Sequence, residues 1–588
     1  MKLKEKGSKM RKMTNENFIE DEKTYFANQF IPGKNLNLDN NSIIRTNVRP
    51  QIKNLDDLPI IDRSLVNYDK YVCYIGQAEA KYTMAVQATK GCPYECIYCD
   101  IQPKVHYRRS VENIFDEVKV LHDIGVKRIV IIDDIFNVHI KHCISFFQLV
   151  LKNKLDLQFF FPNGLKGDLL TEEIMDLMVE AGTISVNMSL ETASPRLQEM
   201  IKKGLDIDSL HKNIQYFTKN HPSVVIGLNT MHGFPTETEE EALMTLDFIK
   251  SINWLHFPYV HTVRAFPGTP MYQLAIDHGV AQEAIEKSVD MGYHETSPTL
   301  PFSKTFSIQY KMSFMRDYFL NKKRLLQVLP HQMKLFDEDE MVQKYNAYFP
   351  TKFKTINDLL LLANIDPSEL GSKEFVDESK IMIPDLALKI SKKFPETNDK
   401  KGRDGALRLL LLDLSTSFSN EKENVYDVLE PPQGLMALLT YVNEVFGDKV
   451  EGTIYKSRID FDSYEELYVK VKDFAPDIIG IRSLSFYRIF FHKAISYLRN
   501  KGITTSIITG GPYATSSFSE LLHDRNIDLV VLGEGELTLG EILKHTLVNN
   551  NRLPDVETLR SIDGIAFFNE KTADATIQAD GDTPTCLN

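Results

Sequence analysis

The feature that most constrains the fold is a repeated alternation of β-rich runs and amphipathic helical stretches between Tyr82 and Leu274. Parallel strands need a long crossover connection, usually a helix, so strand-then-helix units in series predict a parallel α/β sheet or barrel. The predicted strands are YTMAVQAT, RIVIID, LQFFFPN, TISVNMSLE, VVIGLNTM and FPYVHTVRAF.

A second α/β pattern follows a mostly helical region. Its strands are predicted in LRLLLLDLS, VEGTIY, DIIGIRS, TSIITGG and DLVVLGEGE. Because these strands end in short polar or Gly-rich turns, they predict a doubly wound sheet that binds ligands at its carboxyl edge. The predicted units are a polar arm and linker at 1–70, the barrel at 71–275, a helical extension at 276–391, a charged linker at 392–405, the doubly wound domain at 406–570 and a tail at 571–588.

Composition excludes several classes of protein. A chain of 588 residues is too long for one core, and its net charge of −13 argues against nucleic acid as the main partner. No apolar run is long enough to span a bilayer, and the basic start MKLKEKGSKMRKM lacks the apolar core of a signal peptide. The cysteines do not form a secreted disulfide framework, so we expect a reduced cytoplasm.

The stretch KGCPYECIYCD contains three of the six cysteines of the chain, Cys92, Cys96 and Cys99, at a CxxxCxxC spacing. Structural zinc uses four ligands, usually in two separated pairs, and this segment offers no second pair. A fourth zinc ligand from elsewhere and a chance cluster remain as alternatives. Thiolates are soft ligands that suit iron–sulfur clusters. A 4Fe–4S cube held by three cysteines keeps one iron open for chemistry, and we favour this interpretation.

This motif, with Tyr98 before its last cysteine, resembles that of the radical S-adenosylmethionine (SAM) enzymes. The resemblance covers roughly residues 82–275 and implies a partial six-stranded (β/α) barrel, with the cysteine loop after the first strand. It also implies that the open iron is chelated by SAM. Electron transfer then cleaves SAM to methionine and a 5′-deoxyadenosyl radical, while the protein binds and orients the reactants.

The same resemblance implies further SAM contacts at strand ends. Asp133 and Asp134, in IIDDIF, stand where many members carry a glycine-rich segment facing the SAM amine, and a helix cap is the alternative. Glu191 matches the ribose-contacting position, again with a helix cap as the alternative. Gly233 and Pro235, in HGFPTE, match the motif that lies against adenine.

The doubly wound unit resembles the cobalamin-binding-like domain of one large radical SAM branch, through EPPQGLMALLTYV, APDIIGIRSLS, GGPYATSS and DLVVLGEGELTLGEIL. In that branch the domain usually precedes the barrel, so this chain is predicted to be a circular permutation. The alternative is a doubly wound domain kept for packing or for another ligand. The resemblance implies cobalamin contacts at Ser483, Gly510, Gly511, Pro512, Gly533 and Glu534.

These features predict a cobalamin-dependent radical SAM methyltransferase that acts on an unactivated carbon of a small molecule or natural product. Its expected partner is an external one-electron reductant of the flavodoxin or ferredoxin type. The alternative is radical cyclisation, rearrangement or oxidation without methyl transfer. A cofactor-sensing scaffold without turnover is a third hypothesis, which the intact cysteine motif disfavours. A methylthiotransferase is set aside, because the remaining cysteines are too dispersed for a second cluster.

Overall fold

The computed structural model describes residues 43–569 except 72–73, 77–78, 102, 254, 292–296, 350–351, 372–373, 395–403 and 422–427. The predicted tail, most of the predicted arm and most of the 392–405 linker lie outside the described residues. Within the described part of the chain, no helix is both long and apolar enough to cross a membrane.

The first sheet has six parallel strands that are neighbours in chain order. They coincide with the six predicted runs and confirm the predicted α/β class. Between them lie the crossover helices α1 (Val111–Asp123), α2 (Ile140–Lys152), α3 (Glu172–Glu180), α4 (Pro195–Ile201), α5 (Ile207–Asn220) and α6 (Glu239–Ser251). The strands are β2 (Thr83–Val86), β5 (Arg128–Ile131), β6 (Gln158–Leu165), β7 (Thr183–Glu191), β8 (Val225–His232) and β9 (Phe257–Thr262).

Local sequence explains why these elements form where they do. Strand β5 is buried along its whole length, as expected for a parallel strand covered by helices on one face and the sheet interior on the other. Five of the six crossover helices begin at side-chain caps: for example, Ser110 accepts from the Asn113 N–H, and Thr238 forms a capping box with Glu241. The side-chain caps therefore mark where the helices of the barrel begin, and the apolar runs mark its strands.

The predicted helical region packs against the barrel through buried ion pairs. Arg128 of β5 donates to Glu340 at 3.0 Å, and both side chains are about 1% exposed. Lys344 reaches Glu79 at 2.9 Å, and the Tyr259 hydroxyl donates to the same carboxylate. The helices are α7 (Pro270–Asp277), α8 (Gln282–Asp290), α9 (Lys304–Ser313), α10 (Lys322–Met333), α11 (Glu338–Asn346), α12 (Ile356–Leu362) and α13 (Leu386–Lys393), with a π-helical turn at Phe314–Phe319.

The second sheet is doubly wound, as predicted, and the five predicted strands are parallel. They are β10 (Leu407–Asp413), β11 (Val450–Lys456), β12 (Ile478–Arg482), β13 (Ser506–Gly510) and β14 (Leu529–Val531). Strand β10 lies between β11 and β12, so the winding reverses at the carboxyl ends of β10 and β12. Helices α14 (Gln433–Phe446), α15 (Tyr464–Phe474), α16 (Arg488–Asn500), α17 (Pro512–Ser516), α18 (Phe518–His523), α19 (Gly535–Val548) and α20 (Val556–Arg560) complete the domain.

Two antiparallel strands extend this sheet beyond the predicted five. Strand β15 (Ile565–Phe568) pairs with β14, and β1 (Ile43–Arg45) pairs with β15. The segment interpreted as an arm and linker therefore supplies an edge strand to the C-terminal domain. Strand β1 has only three residues, and its partner lies at the far end of the chain. No local sequence pattern therefore predicts this pairing.

Candidate functional site

The three cysteines lie in a loop enclosed by a short hairpin, in which β3 (Thr89–Lys90) pairs antiparallel with β4 (Tyr107–Arg108). All three thiols are free and half-buried. Gly91, directly before the first cysteine, has φ +81°, and a Cβ there would lie 2.3 Å from the Val105 carbonyl oxygen. Only glycine fits this close approach, so the loop conformation depends on it.

Backbone hydrogen bonds hold the loop to two helices of the barrel. The Ile97 N–H donates to the Ile201 carbonyl at the end of α4, and the Met271 N–H of α7 donates to the Ile97 carbonyl at 2.9 Å. Within the loop, the Cys92 N–H donates to the Pro103 carbonyl at 3.1 Å. Backbone hydrogen bonds therefore fix the position of the segment that carries the three thiols.

The environment of the thiols fits a cluster. Burial raises the pKa of Cys92 and of Cys99, while backbone N–H groups of Tyr94 and Ile101 act in the opposite direction by hydrogen bonding to the sulfurs. Such N–H groups stabilise thiolates bound to iron. Among the described residues, no group of three or more His, Cys, Asp or Glu side chains is arranged around a single metal ion. In a 4Fe–4S cube each thiolate binds a different iron.

The two aspartates after β5 hold the cysteine loop. Asp133 accepts from the Ala88 N–H and the Thr89 hydroxyl, both at 2.7 Å, and burial raises its pKa to about 7 despite these bonds. Asp134 accepts from the Gly91 N–H at 3.0 Å, and burial raises its pKa as well. Neither caps α2, whose N-cap is His139. Both Asp133 oxygens accept hydrogen bonds from the protein itself, whereas Asp134 accepts from the Gly91 N–H through Oδ2.

Glu191 ends β7 with φ +68° and faces the cysteine loop. Its Oε1 accepts from the Tyr98 hydroxyl at 3.1 Å and from Lys203 Nζ at 2.8 Å. Burial, reinforced by Glu191 and Cys96, raises the pKa of Tyr98. The alternative role of Glu191 as a helix cap does not apply, since Ser194 caps α4. A non-glycine residue at positive φ is strained, and such strain is often found at functional sites.

The turn after β8 is built around a buried carboxylate. Glu237 accepts from the N–H groups of Gly233 and Phe234, and burial raises its pKa to about 7 despite these bonds. Gly233 has φ +91°, and a Cβ there would lie 2.4 Å from Leu300 Cδ2. Pro235 follows on the half-exposed side of the turn. The motif therefore has a tightly fixed shape.

The predicted cobalamin contacts of the second sheet divide into two groups. Gly510, Gly511 and Gly533 end β13 and β14, and a Cβ on Gly533 would meet nothing within 4 Å, so backbone is accessible there. Pro512 begins α17 beside them. Ser483 is instead buried and donates to the Leu414 carbonyl at 3.1 Å. Glu534, directly after Gly533, is paired with Lys90 of the barrel.

Sequence reasoning missed a charged cluster where the winding of the second sheet reverses. Asp413, fully buried at the end of β10, lies 3.1 Å from Lys456 Nζ and 3.3 Å from Arg482 Nη1. These cations end β11 and β12, so each of three neighbouring strands supplies one charge. Their positions at strand ends were readable from the sequence, but their pairing depends on strand order.

The carboxyl ends of the two sheets face each other. The Arg264 guanidinium, just beyond β9, lies 5.1 Å from the centre of the Phe486 ring, which follows β12. The Phe266 ring lies 5.7 Å from the same phenylalanine, and Lys90 pairs with Glu534 after β14. Ligands of parallel sheets bind at these edges, so the cysteine loop and the predicted cobalamin edge border one region.

Residues 86–249 match the radical SAM superfamily. This chain carries a radical SAM domain. The matched region includes the three cysteines, both aspartates and Glu191. A radical SAM domain implies a 4Fe–4S cluster and SAM, and the thiols with their backbone N–H donors fit that cluster.

Two curated relatives show how far sequence similarity to this chain extends. An uncharacterized methyltransferase of Pyrococcus horikoshii is 29% identical over 236 residues, which are 39% of this chain and 48% of the relative. A tRNA-2-methylthio-N(6)-dimethylallyladenosine synthase of Aquifex aeolicus is 26% identical over 229 residues, 37% of this chain and 51% of the relative. The chain therefore spans about half the length of these relatives.

A solved structure of the radical SAM methyltransferase TsrM from Kitasatospora setae, with cobalamin and a [4Fe-4S] cluster bound, overlaps 33% of this chain and 36% of its own. Its sequence identity is 19% and its TM-score is 0.30.

Proposed function

We propose that this protein is a radical SAM enzyme in which Cys92, Cys96 and Cys99 hold a 4Fe–4S cluster. When bound, the cluster supplies one electron to SAM, which yields methionine and a 5′-deoxyadenosyl radical. The observation that carries the proposal is the match of residues 86–249 to the superfamily, together with the half-buried thiols and their backbone N–H donors.

The chain's own residues bind and orient the reactants. Asp134 follows β5 and Glu191 ends β7, two strands along the sheet, and both present carboxylates beside the cysteine loop. A carboxylate accepts the hydrogen bonds of an ammonium or of ribose hydroxyls, so these two residues would orient SAM. Tyr98 joins the cysteine loop to Glu191 and keeps the two at a constant separation.

The proposed reaction is methylation of an unactivated carbon, with cobalamin held by the doubly wound domain. Bound cobalamin supplies a methyl group that a carbon radical can accept. Three observations support the proposal: the facing sheet ends, the accessible backbone at Gly533, and the similarity to a protein named a methyltransferase. Radical cyclisation, rearrangement or oxidation without methyl transfer is the second candidate.

The expected substrate is a small molecule or natural-product intermediate, and the expected electron donor is a flavodoxin or ferredoxin. An oxygen-sensitive cluster works in a reducing compartment, and we place the protein in the cytoplasm on that ground. The net charge of −13 makes nucleic acid an unfavourable substrate.

The test needs no substrate. Protein reconstituted anaerobically with iron, sulfide and cobalamin is reduced and given SAM labelled as CD3. We expect 5′-deoxyadenosine, S-adenosylhomocysteine and CD3-cobalamin. Formation of 5′-deoxyadenosine without the other two products would favour radical chemistry without methyl transfer. Absence of all three from protein with a full cluster would contradict the proposal.

Replacing Glu191 by glutamine is expected to weaken SAM binding about 10- to 100-fold, because hydrogen bonds to a charged group contribute about 1.5–3 kcal/mol. The measurement is a SAM titration followed by the electron paramagnetic resonance spectrum of the reduced cluster. Lys203→Met serves as a comparison, since it removes the partner of Glu191 and leaves the carboxylate. An unchanged affinity in Glu191→Gln would assign Glu191 a structural role only.

A further inference from the structure

One ion pair connects the cysteine hairpin to the C-terminal domain. Lys90 Nζ contacts Glu534 Oε2, and the two side chains are 17% and 26% exposed. Lys90 lies two residues before Cys92, while Glu534 lies between β14 and α19. The pair therefore joins the loop that carries the thiols to an end of the other sheet.

The Glu534 side chain is directed to this contact and not to its own helix. Glu534 is the N-cap residue of α19, yet its side chain accepts no hydrogen bond from the first turn of that helix. N-cap side chains usually accept such a bond and stabilise the helix by doing so. Here the carboxylate extends to the other domain instead.

Lys90 has fixed backbone on both sides. The Ala88 N–H donates to Asp133, and the Gly91 N–H donates to Asp134. A displacement of the Lys90 side chain would therefore also displace the cysteine loop. Because β3 is only two residues long, little else separates this side chain from Cys92.

Lys90 also neutralises an excess of acid at the interface. Asp134, Glu534 and Glu536 all interact electrostatically with it. Glu536 is buried and its Oε2 has no hydrogen-bond partner among the described residues. Without the lysine, three carboxylates from two domains would face one another, and like charges at close range repel.

We propose that Lys90 and Glu534 form a latch that holds the C-terminal domain against the cysteine hairpin, and that both act as positioning residues for the cluster site. The latch makes Glu534 an inter-domain contact, in place of the cofactor contact that the sequence resemblance implied. Its effect on the cluster rests on the proposed function, whereas the mechanical coupling of the two segments does not.

Hydrogen exchange on the cluster-reconstituted full chain tests the coupling. In Glu534→Gln and in Lys90→Gln, we expect amides at 88–92 and at 532–536 both to exchange about tenfold faster than in the unmodified chain. The charge-swapped pair Lys90→Glu with Glu534→Lys is expected to restore protection in both segments. Glu465→Gln, which breaks the exposed pair with Lys501 in the same domain, is the control and should affect neither segment.

A second readout follows the cluster itself. SAM binding changes the electron paramagnetic resonance signal of the reduced cluster. The SAM concentration at which half of this change has occurred is expected to rise about tenfold in each single variant and to return to the value of the unmodified chain in the swapped pair. The latch is overturned if Glu534→Gln speeds exchange only at 532–536, or if the swapped pair fails to restore protection. Because exchange is independent of radical chemistry, a chain that cleaves no SAM would contradict the proposed function and leave the latch testable.

Discussion

Replacing any one of Cys92, Cys96 and Cys99 by alanine is expected to remove the cluster and all cleavage of SAM. Iron and sulfide should fall from about four per chain to background after identical reconstitution. Two thiolates leave half of the cube unprotected, and the fourth cysteine among the described residues, Cys143, donates to the Phe136 carbonyl. Metal analysis and the charge-transfer absorption of the anaerobic protein measure the loss, and chromatography measures 5′-deoxyadenosine.

Cys143→Ala is the matched control for this result. Cys143 is buried in α2, and its thiol donates to the Phe136 carbonyl outside the hairpin. Its removal should leave iron content and SAM cleavage intact. A full cluster in any one of the three hairpin variants would mean that the cysteine replaced in that variant is not a ligand of the cluster.

Replacing Asp413 by asparagine is expected to destabilise the doubly wound domain by about 3–5 kcal/mol, the usual effect of removing one member of a buried ion pair. The change preserves shape but leaves Lys456 buried without its counter-charge, next to the cation of Arg482. Native-state hydrogen exchange in β10 and β12 measures the local free energy of opening. Glu557→Gln, on an exposed pair of α20, is the control and should leave that free energy unchanged.

The same carboxylate has a defined pH dependence. Burial alone would raise the pKa of Asp413, but Lys456 and Arg482 outweigh burial and hold the pKa at about 2. A carboxyl pKa below its unfolded value stabilises fully above about pH 4, and the contribution is lost as the pH falls toward 2. The stability difference between the unmodified chain and Asp413→Asn should therefore be constant from neutral pH to about pH 5 and narrow below pH 4. A difference that widens in acid would contradict the charge assignment.

Much of the fold was predictable because its determinants are local. The barrel strands are β-rich runs with buried apolar residues, and most crossover helices begin at a side-chain cap, so a short window of sequence contains the information. The cysteine loop was predictable for the same reason: three thiols and Gly91 act within one hairpin. Local spacing sufficed to predict a three-thiol cluster loop.

The remaining features depend on residues that meet only after folding. Strand β1 pairs with β15 across nearly the whole chain, and Lys203 reaches Glu191 across the end of α4. Asp133 was predicted to face a ligand, yet it binds the turn before the cysteines, because that turn leaves two donors in need of an acceptor. The role of such a side chain depends on which nearby hydrogen-bond donors lack another acceptor in the folded chain.

By itself, the sequence determined two parallel α/β units, the order of their strands along the chain, and a three-thiol loop suited to an iron–sulfur cluster. Tertiary structure alone decided that the two sheets meet at their carboxyl ends, that the N-terminal segment completes the C-terminal sheet, and that Glu534 is paired with Lys90. The reason is physical: periodicity and thiol spacing act over a few residues, whereas partners for buried charges and sheet edges are chosen in space, without regard to separation along the chain.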